Sequence, residues 1–90
     1  MDNSRPDVRQ HIHAKVIEIA RSLGRDARGL KNNQEIPASG FIDSAGIMEL
    51  IMWFEGEYGL AIPQEELTLD NFGTIDAMAG YLQKSGSAAG

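Results

Sequence analysis

Three segments of helical periodicity, without strand-like alternation of convincing length between them, restrict this chain of 90 residues to an all-α fold. The first segment covers residues 7–23 and the second residues 44–58, and Gly24 and Gly59 follow them as glycine commonly follows a helix. The third begins after Thr74, whose hydroxyl is a favoured helix cap. The pattern predicts a bundle of three or four helices with one long first loop.

The first loop is unusually long, because it spans residues 24–43 where connections of a few residues are the norm. Four apolar residues are spaced along it: Leu30, Ile36, Phe41 and Ile42. We therefore expect an ordered loop held against the core rather than a free linker. After the second helix, residues 64–67 are expected to form one short helical turn.

The length and composition indicate one small folded domain, which we assign to residues 1–84, followed by a flexible C-terminal tail of small and polar residues, 85–90. The formal charge of −5 and the sequence pI of about 4.8 argue against nucleic acid or an anionic membrane as the main partner and favour a basic protein surface. The chain has no cysteine, which excludes disulfides, thiolate metal sites and a protein thiol nucleophile. It shows neither a signal segment nor an apolar run of about 20 residues, so we expect a cytoplasmic protein.

The second predicted helix has more apolar surface than a small bundle needs to bury. A helical wheel at about 100° per residue places these residues in one core stripe: Ile47, Leu50, Ile51, Phe54 and Tyr58. A second apolar arc contains Ala45, Met48 and Met52. The far side carries Glu49, Trp53 and Glu57, with Gly46 and Gly56. We interpret five of these off-core residues as a partner-binding face: Met48, Glu49, Met52, Trp53 and Glu57. The alternative is that the methionines fill gaps between helices, since methionine suits both roles.

Asp43 and Ser44 stand at the start of that helix, directly after a loop rich in glycine, proline and serine. A helix N-terminus carries partial positive charge and unpaired backbone N–H groups, so a serine hydroxyl there is well placed to receive a phosphate. Asp and Ser are also favoured helix caps, and a purely structural capping role is the alternative for this pair.

Enzyme motifs are missing from the sequence. His11 and His13 lie two residues apart, whereas a helical metal-binding pair needs a spacing of three or four, so we interpret them as solvated surface histidines. Ser44 lacks the Gly-x-Ser-x-Gly elbow of hydrolases, because Ile42 occupies the position of the first glycine. No glycine-rich phosphate loop, calcium loop or dinucleotide-binding fingerprint is present. We expect no catalytic residue, no metal site and no enzymatic activity.

Four stretches of the chain form one combined motif: residues 40–50 (GFIDSAGIMEL), 54–63 (FEGEYGLAIP), 65–68 (EELT) and 71–78 (NFGTIDAM). Together with the first helix and the long loop they resemble the acyl carrier protein family over nearly the whole chain. The resemblance implies a four-helix bundle of three main helices and one short helix. It also implies that Ser44, flanked by Asp43, receives phosphopantetheine from coenzyme A through a separate, magnesium-dependent phosphopantetheinyl transferase. The thiol of this arm would hold an acyl or aminoacyl group as a thioester, which agrees with the absence of cysteine.

Several residues depart from the usual pattern of that family. Ala45 replaces the leucine that normally follows Asp-Ser, and Gly46 and Trp53 are unusual beside the more acidic second helix of fatty-acid synthesis carriers. Residues 65–72 look more like discrete carriers of polyketide, peptide or aminoacyl pathways, in secondary-metabolite or lipid biosynthesis. The implied partners are the transferase, an acyl- or aminoacyl-loading ligase and a downstream acyltransferase or synthase, with the carrier a monomer. The competing interpretation is an unmodified helical module whose Met-rich surface binds a partner helix.

Overall fold

Five α-helices and one 3-10 turn make up the computed structural model, which describes the backbone over residues 7–89 and the side chains over residues 7–84. The elements are α1 (Val8–Ser22), α2 (Ile36–Ser39), α3 (Ser44–Tyr58), the 3-10 turn (Gln64–Glu66), α4 (Leu69–Phe72) and α5 (Ile75–Ala89). No strand lies within the described residues, and the predicted all-α bundle is confirmed. In this part of the chain no helix is long and apolar enough to cross a membrane.

Local capping explains where the long helices begin and end. The Asp7 carboxylate accepts a hydrogen bond from the Arg9 N–H at 3.0 Å. Thr74 Oγ1 accepts one from the Ala77 N–H at 2.9 Å, which confirms the predicted cap. Gly59 ends α3 with a φ of 65°, a left-handed conformation that glycine adopts at little cost. The second helix has the predicted bounds, and the first is one residue shorter at each end.

The short elements are more numerous than the single short helix that was predicted. The turn expected at residues 64–67 is present as the 3-10 turn. In addition, α2 and α4 are helices of four residues each. Four residues make barely one turn and contain no repeat of apolar spacing, so periodicity does not reveal them.

The long first loop is ordered against the core, as predicted. Three of its apolar residues are buried and the fourth is half-buried: Leu30, Ile36 and Ile42, and then Phe41. The Ile36 N–H donates to the Gly73 carbonyl at 2.7 Å, and the Asp76 N–H donates to the Asn32 carbonyl at 2.9 Å. These two backbone bonds tie the loop to the junction between α4 and α5.

His13 fastens the same loop to α1, which corrects its interpretation as a solvated histidine. Its Nε2 lies 2.9 Å from the carbonyl oxygen of Ala27, and Ala27 is fully buried. The contact satisfies a backbone carbonyl that would otherwise lose its hydration where the loop folds back over α1. The two residues are 14 positions apart, so no local pattern links them.

The core lies between α1, α3 and α5. Its largest fully buried side chains are Ile12, Val16, Ile36, Leu50, Phe54, Ile75 and Met78. The Phe54 ring is 0% exposed, and its centroid lies 5.2 Å from that of Tyr58 and 6.1 Å from that of Phe72. The predicted core stripe of α3 is buried through the middle of the helix, whereas Ile47 and Tyr58, nearer its two ends, are half-buried.

Helices α1 and α3 run antiparallel and approach each other closely at Gly46. A β-carbon at this position would lie 3.1 Å from both Ile19 Cγ2 and Ile42 Cβ, which is tighter than an ordinary contact. Gly46 is therefore buried, and its placement on the exposed far side of the wheel was wrong. The missing side chain lets α1 lie directly against this end of α3.

The C-terminal prediction is not tested. Helix α5 continues to Ala89, but the side chains of residues 85–90 lie outside the described residues. The flexible tail at 85–90 and the domain assignment of residues 1–84 stay predictions.

Candidate functional site

Ser44 is the first residue of α3, and its side chain is exposed. The preceding residue, Asp43, caps the helix: its carboxylate oxygen accepts a hydrogen bond from the Gly46 N–H at 2.8 Å. Asp43, and not Ser44, is therefore the cap of α3. Within the described part of the chain its hydroxyl makes no hydrogen bond, so it is available as a nucleophile.

The other serines whose side chains the structure describes differ from Ser44 in this respect. The Ser22 hydroxyl donates to the Ile19 carbonyl at 2.6 Å, and the Ser39 hydroxyl donates to the Ile36 carbonyl at 2.6 Å. Both are bonded within their own helical turn, and both lie near a helix C-terminus, where the helix dipole disfavours a phosphate. Availability and electrostatics thus single out Ser44 among the three.

An exposed apolar row leads away from Ser44 along α3. Met48 and Met52 follow it at intervals of four residues, on one face of the helix, and are 50% and 64% exposed. Glu49 is exposed beside them. This arrangement agrees with the predicted second apolar arc, and these methionines do not fill gaps in the core.

A shallow apolar groove of about 190 Å³ runs between α3 and the segment that leads into α4. It is lined by Ile47, Met48, Ile51, Leu67, Thr68, Leu69 and Phe72. Leu69, at the start of α4, is 66% exposed and extends the apolar surface of Met48 across the groove. Sequence reasoning missed Leu69, because the short helix that carries it leaves no periodic signal.

The remaining two residues of the predicted partner-binding face, Trp53 and Glu57, lie on the flank of α3 that meets α1. Trp53 is half-buried, with its ring in edge contact with His11 at 5.2 Å between centroids. Glu57 is exposed, but its Oε2 lies 3.6 Å from His11 Nε2. The wheel was therefore wrong in placing Trp53 away from the packed side of the helix.

His11 lies in this contact between α1 and α3 and is half-buried rather than fully solvated, which corrects the second histidine interpretation. Its Nδ1 lies 2.9 Å from the Tyr58 hydroxyl, and the two groups share a hydrogen bond. Burial, and to a smaller degree the charge of Glu57, raise the pKa of Tyr58 above its usual value of 10. The cluster joins the start of α1 to the end of α3 and takes no part in the surface around Ser44.

The phosphopantetheine group implied by the resemblance fits the surroundings of Ser44. The hydroxyl is exposed and unbonded, a phosphate attached to it would lie at the positive end of a 15-residue helix, and no described side chain covers it. The chain itself contributes no thiol, so the arm would supply the thiol chemistry. Among the described residues no group of three or more His, Asp or Glu side chains could hold a metal ion.

Comparison with known proteins agrees with this geometry. The family model described as phosphopantetheine attachment site matches residues 16–82, most of the chain. A relative, the acyl carrier protein of Bdellovibrio bacteriovorus, is 36% identical over 78 residues, which cover 86% of this chain and 97% of that protein. Such proteins are non-catalytic carriers that interact with a phosphopantetheinyl transferase and with acyl-handling enzymes. The chain therefore belongs to the acyl carrier protein family, as a carrier that bears a covalently attached phosphopantetheine arm.

Proposed function

We propose that Ser44 is the residue that carries the phosphopantetheine arm. The observation that carries this proposal is the exposed, unbonded hydroxyl at the start of α3. Residues 16–82, which match the family model, contain three serines, and the hydroxyls of the other two, Ser22 and Ser39, are bonded to backbone carbonyls. Asp43 flanks the site and holds the helix start in place by capping it.

The attachment step needs only a nucleophile from this chain. Ser44 Oγ would attack the phosphorus of coenzyme A that bears the pantetheine, forming an O–P bond. The P–O bond to the second phosphate of the diphosphate breaks, and adenosine 3′,5′-bisphosphate leaves. The proton of the hydroxyl would pass to a base of the transferase; the nearest acid in sequence, Asp43, already uses one carboxylate oxygen to accept the Gly46 N–H. When bound, the arm supplies a thiol that holds the cargo as a thioester.

The exposed side of α3 is the surface we propose for partner enzymes. Met48 and Met52 offer adaptable apolar contacts, and Glu49 adds negative charge in a chain of net charge −5. A basic partner would be steered by the charges and held by the apolar groups. Trp53 and Glu57 border this surface on the side of α1, so a partner reaches them only at its edge.

The specific partners follow from the same proposal. A phosphopantetheinyl transferase would modify Ser44, an acyl- or aminoacyl-loading ligase would charge the arm, and a downstream acyltransferase or synthase would receive the cargo. We favour a cytoplasmic, monomeric carrier of a discrete polyketide, peptide or aminoacyl pathway over one of bulk fatty acid synthesis, on the similarity of residues 65–72 to such carriers.

Intact mass spectrometry of the protein coexpressed with a broad-specificity transferase tests the attachment site. The wild-type chain should gain one phosphopantetheine, and Ser44→Ala should gain none while keeping its helical circular dichroism. Because Asp43 is the cap, this substitution removes the nucleophile without removing a capping bond. Ser39→Ala is the matched control and should be modified like the wild type. Modification of the Ser44→Ala protein, or an unmodified wild-type chain, would refute the proposal.

A further inference from the structure

The charge of the chain is distributed unevenly. Half of its eight lysines and arginines lie in residues 21–31: Arg21, Arg25, Arg28 and Lys31. The same stretch contains a single acid, Asp26, so four cations against one acid give it a charge of +3 in a chain of −5. This basic stretch covers the last turn of α1 and the start of the long loop.

The stretch folds into a concave surface of about 450 Å³, which we call the basic cleft. It is lined by Ile17, Arg21, Gly24, Arg25, Asp26 and Arg28. The backbone around it is held in place: the Arg25 N–H donates to the Ala20 carbonyl at 2.8 Å, and Gly24 turns the chain with a φ of 77°. Ala27, between Asp26 and Arg28, is fully buried against α1. The basic cleft is thus preorganised by its main chain, although its charged groups are exposed.

Two of the three arginines in the basic cleft are free for a ligand. Arg28 is already engaged, with its Nη2 2.8 Å from Asp26 Oδ2 and its Nε 3.0 Å from Asp26 Oδ1. Hydrogen bonding to Arg28 lowers the pKa of Asp26 to about 2, so the pair stays charged at neutral pH. Arg21 and Arg25 form no ion pair with any described residue, and both are exposed. The charge of Arg21 adds only a smaller lowering of the Asp26 pKa than the bonds to Arg28.

The basic cleft lies away from the proposed partner surface of α3. Ile17 and Arg21 are four residues apart on one face of α1. Ile19, midway between them, points to the other side of the helix, where its side chain meets Gly46 of α3. Helix α1 therefore separates the basic cleft from the surface of Ser44, Met48 and Met52.

We propose that the basic cleft is a second docking surface, which takes an acidic segment of a partner protein. Each free guanidinium presents a planar fork that matches a carboxylate, and the side chain of Ile17 adds an apolar contact for the stem of a Glu or Asp residue. A segment with carboxylates several ångströms apart can reach Arg21 and Arg25 separately. A compact phosphate group would instead meet the carboxylate of Asp26, which lines the same surface. The observations favour a protein segment over a phosphate ligand for this reason.

The separation of the two surfaces has a functional consequence. A partner bound in the basic cleft would leave Ser44 and the exposed side of α3 open. The carrier could then be held by one acidic protein while a basic enzyme modifies or loads its arm. This proposal does not depend on Ser44 being the attachment site, because it rests on the other side of α1.

A titration followed by NMR tests the proposal. The probe is a hexaglutamate peptide added to the isotope-labelled carrier at an ionic strength of about 0.15 M, where charges more than about 8 Å apart are largely screened. We expect amide shifts confined to α1 from Ile17 onward and to the loop through Arg28. The double variant Arg21→Glu, Arg25→Glu should weaken binding by about tenfold or more, since two charge-assisted pairs are lost. The matched control, Lys31→Glu with Lys84→Glu, changes the net charge equally outside the basic cleft and should bind within about twofold of wild type.

Three outcomes of the hexaglutamate titration would overturn the proposal. These are the absence of hexaglutamate binding to the wild-type protein, an equal loss of affinity in the lysine control, and amide shifts centred on α3. Inorganic diphosphate forms the second arm of the experiment: if it binds the basic cleft more tightly than hexaglutamate, the occupant is a phosphate ligand and the proposed acidic segment is wrong. The shift map of the wild-type protein decides the location even if the arginine variant fails to fold.

Discussion

Replacing Phe54 by alanine should remove a large part of the stability of the fold. The side chain is 0% exposed and is in edge contact with two aromatic rings, those of Tyr58 and Phe72. Emptying a buried aromatic site costs about 3–5 kcal/mol, from lost burial and from the cavity that remains. A domain of this size is stable by roughly 5–13 kcal/mol, at about 0.05–0.15 kcal/mol per residue. The substitution should therefore remove at least about a fifth of the stability, and most of it if the domain is marginal.

The same variant also weakens the packing of α4 against α3, because Phe72 of α4 loses its ring contact with Phe54. Urea unfolding followed by far-ultraviolet circular dichroism measures the loss as a change in free energy of unfolding. The control is Met52→Ala on the same helix, which is 64% exposed and should cost no more than about 0.5 kcal/mol. A loss below about 1 kcal/mol for Phe54→Ala would show that the site collapses on itself or that the ring is not packed as described.

Two further predictions concern the exposed surface of α3 and the contact between α1 and the end of α3. Glu49→Lys should slow the modification of Ser44, most strongly at low salt, with no appreciable change in Tm, because an exposed charge that steers a basic partner is screened by ions. Initial rates of modification at two salt concentrations measure the effect. The control is Glu35→Lys, at an exposed acid that makes no side-chain capping bond, and equal slowing by this control would contradict the prediction. Because the pKa of Tyr58 is raised in the folded protein, the unfolded chain releases the phenolic proton first as the pH rises. The contribution of Tyr58 to the free energy of unfolding is therefore fully present below the unfolded pKa of about 10 and is lost as the pH rises toward the folded pKa. Thermal melts between about pH 8 and 11 should show a steeper fall for wild type than for Tyr58→Phe, and identical slopes would show that Tyr58 is not shielded.

The long helices were predictable because their signals are local. The apolar spacing of α1, the capping hydroxyl of Thr74 and the glycine after Tyr58 each act within a few residues, and the structure has them where the sequence indicates. The exposed position of Ser44 follows from the same local logic, since it starts a helix after a polar loop. The single-turn helices α2 and α4 were missed because four residues contain no apolar repeat, and the start of α2 also depends on a distant contact, the bond from the Ile36 N–H to the Gly73 carbonyl.

Which flank of α3 faces solvent could not be read from its own sequence. A helical wheel separates the apolar from the polar residues of α3, but it does not show which flank of α3 another helix covers. Here α1 lies against Gly46, which is therefore buried. At its other end α1 contacts the same flank through His11, which meets Trp53 and Glu57, so Trp53 is half-buried. The two histidines were misjudged for the same reason, because their partners lie 14 and 47 residues away.

The amino-acid sequence by itself determined the three long helices, the acidic charge and a serine at an exposed helix start, because each depends on neighbouring residues or on composition alone. The apolar residues spaced along the first loop also indicated that the loop is ordered. The sequence left open whether Asp43 or Ser44 caps α3. In the structure Asp43 takes the cap through a local bond and leaves the Ser44 hydroxyl unbonded, whereas the hydroxyls of Ser22 and Ser39 donate to backbone carbonyls. The tertiary structure decided which of the surfaces around Ser44 are exposed. The crossing of α1 over α3 separates the basic cleft from the exposed methionines, because it places α1 between the two surfaces.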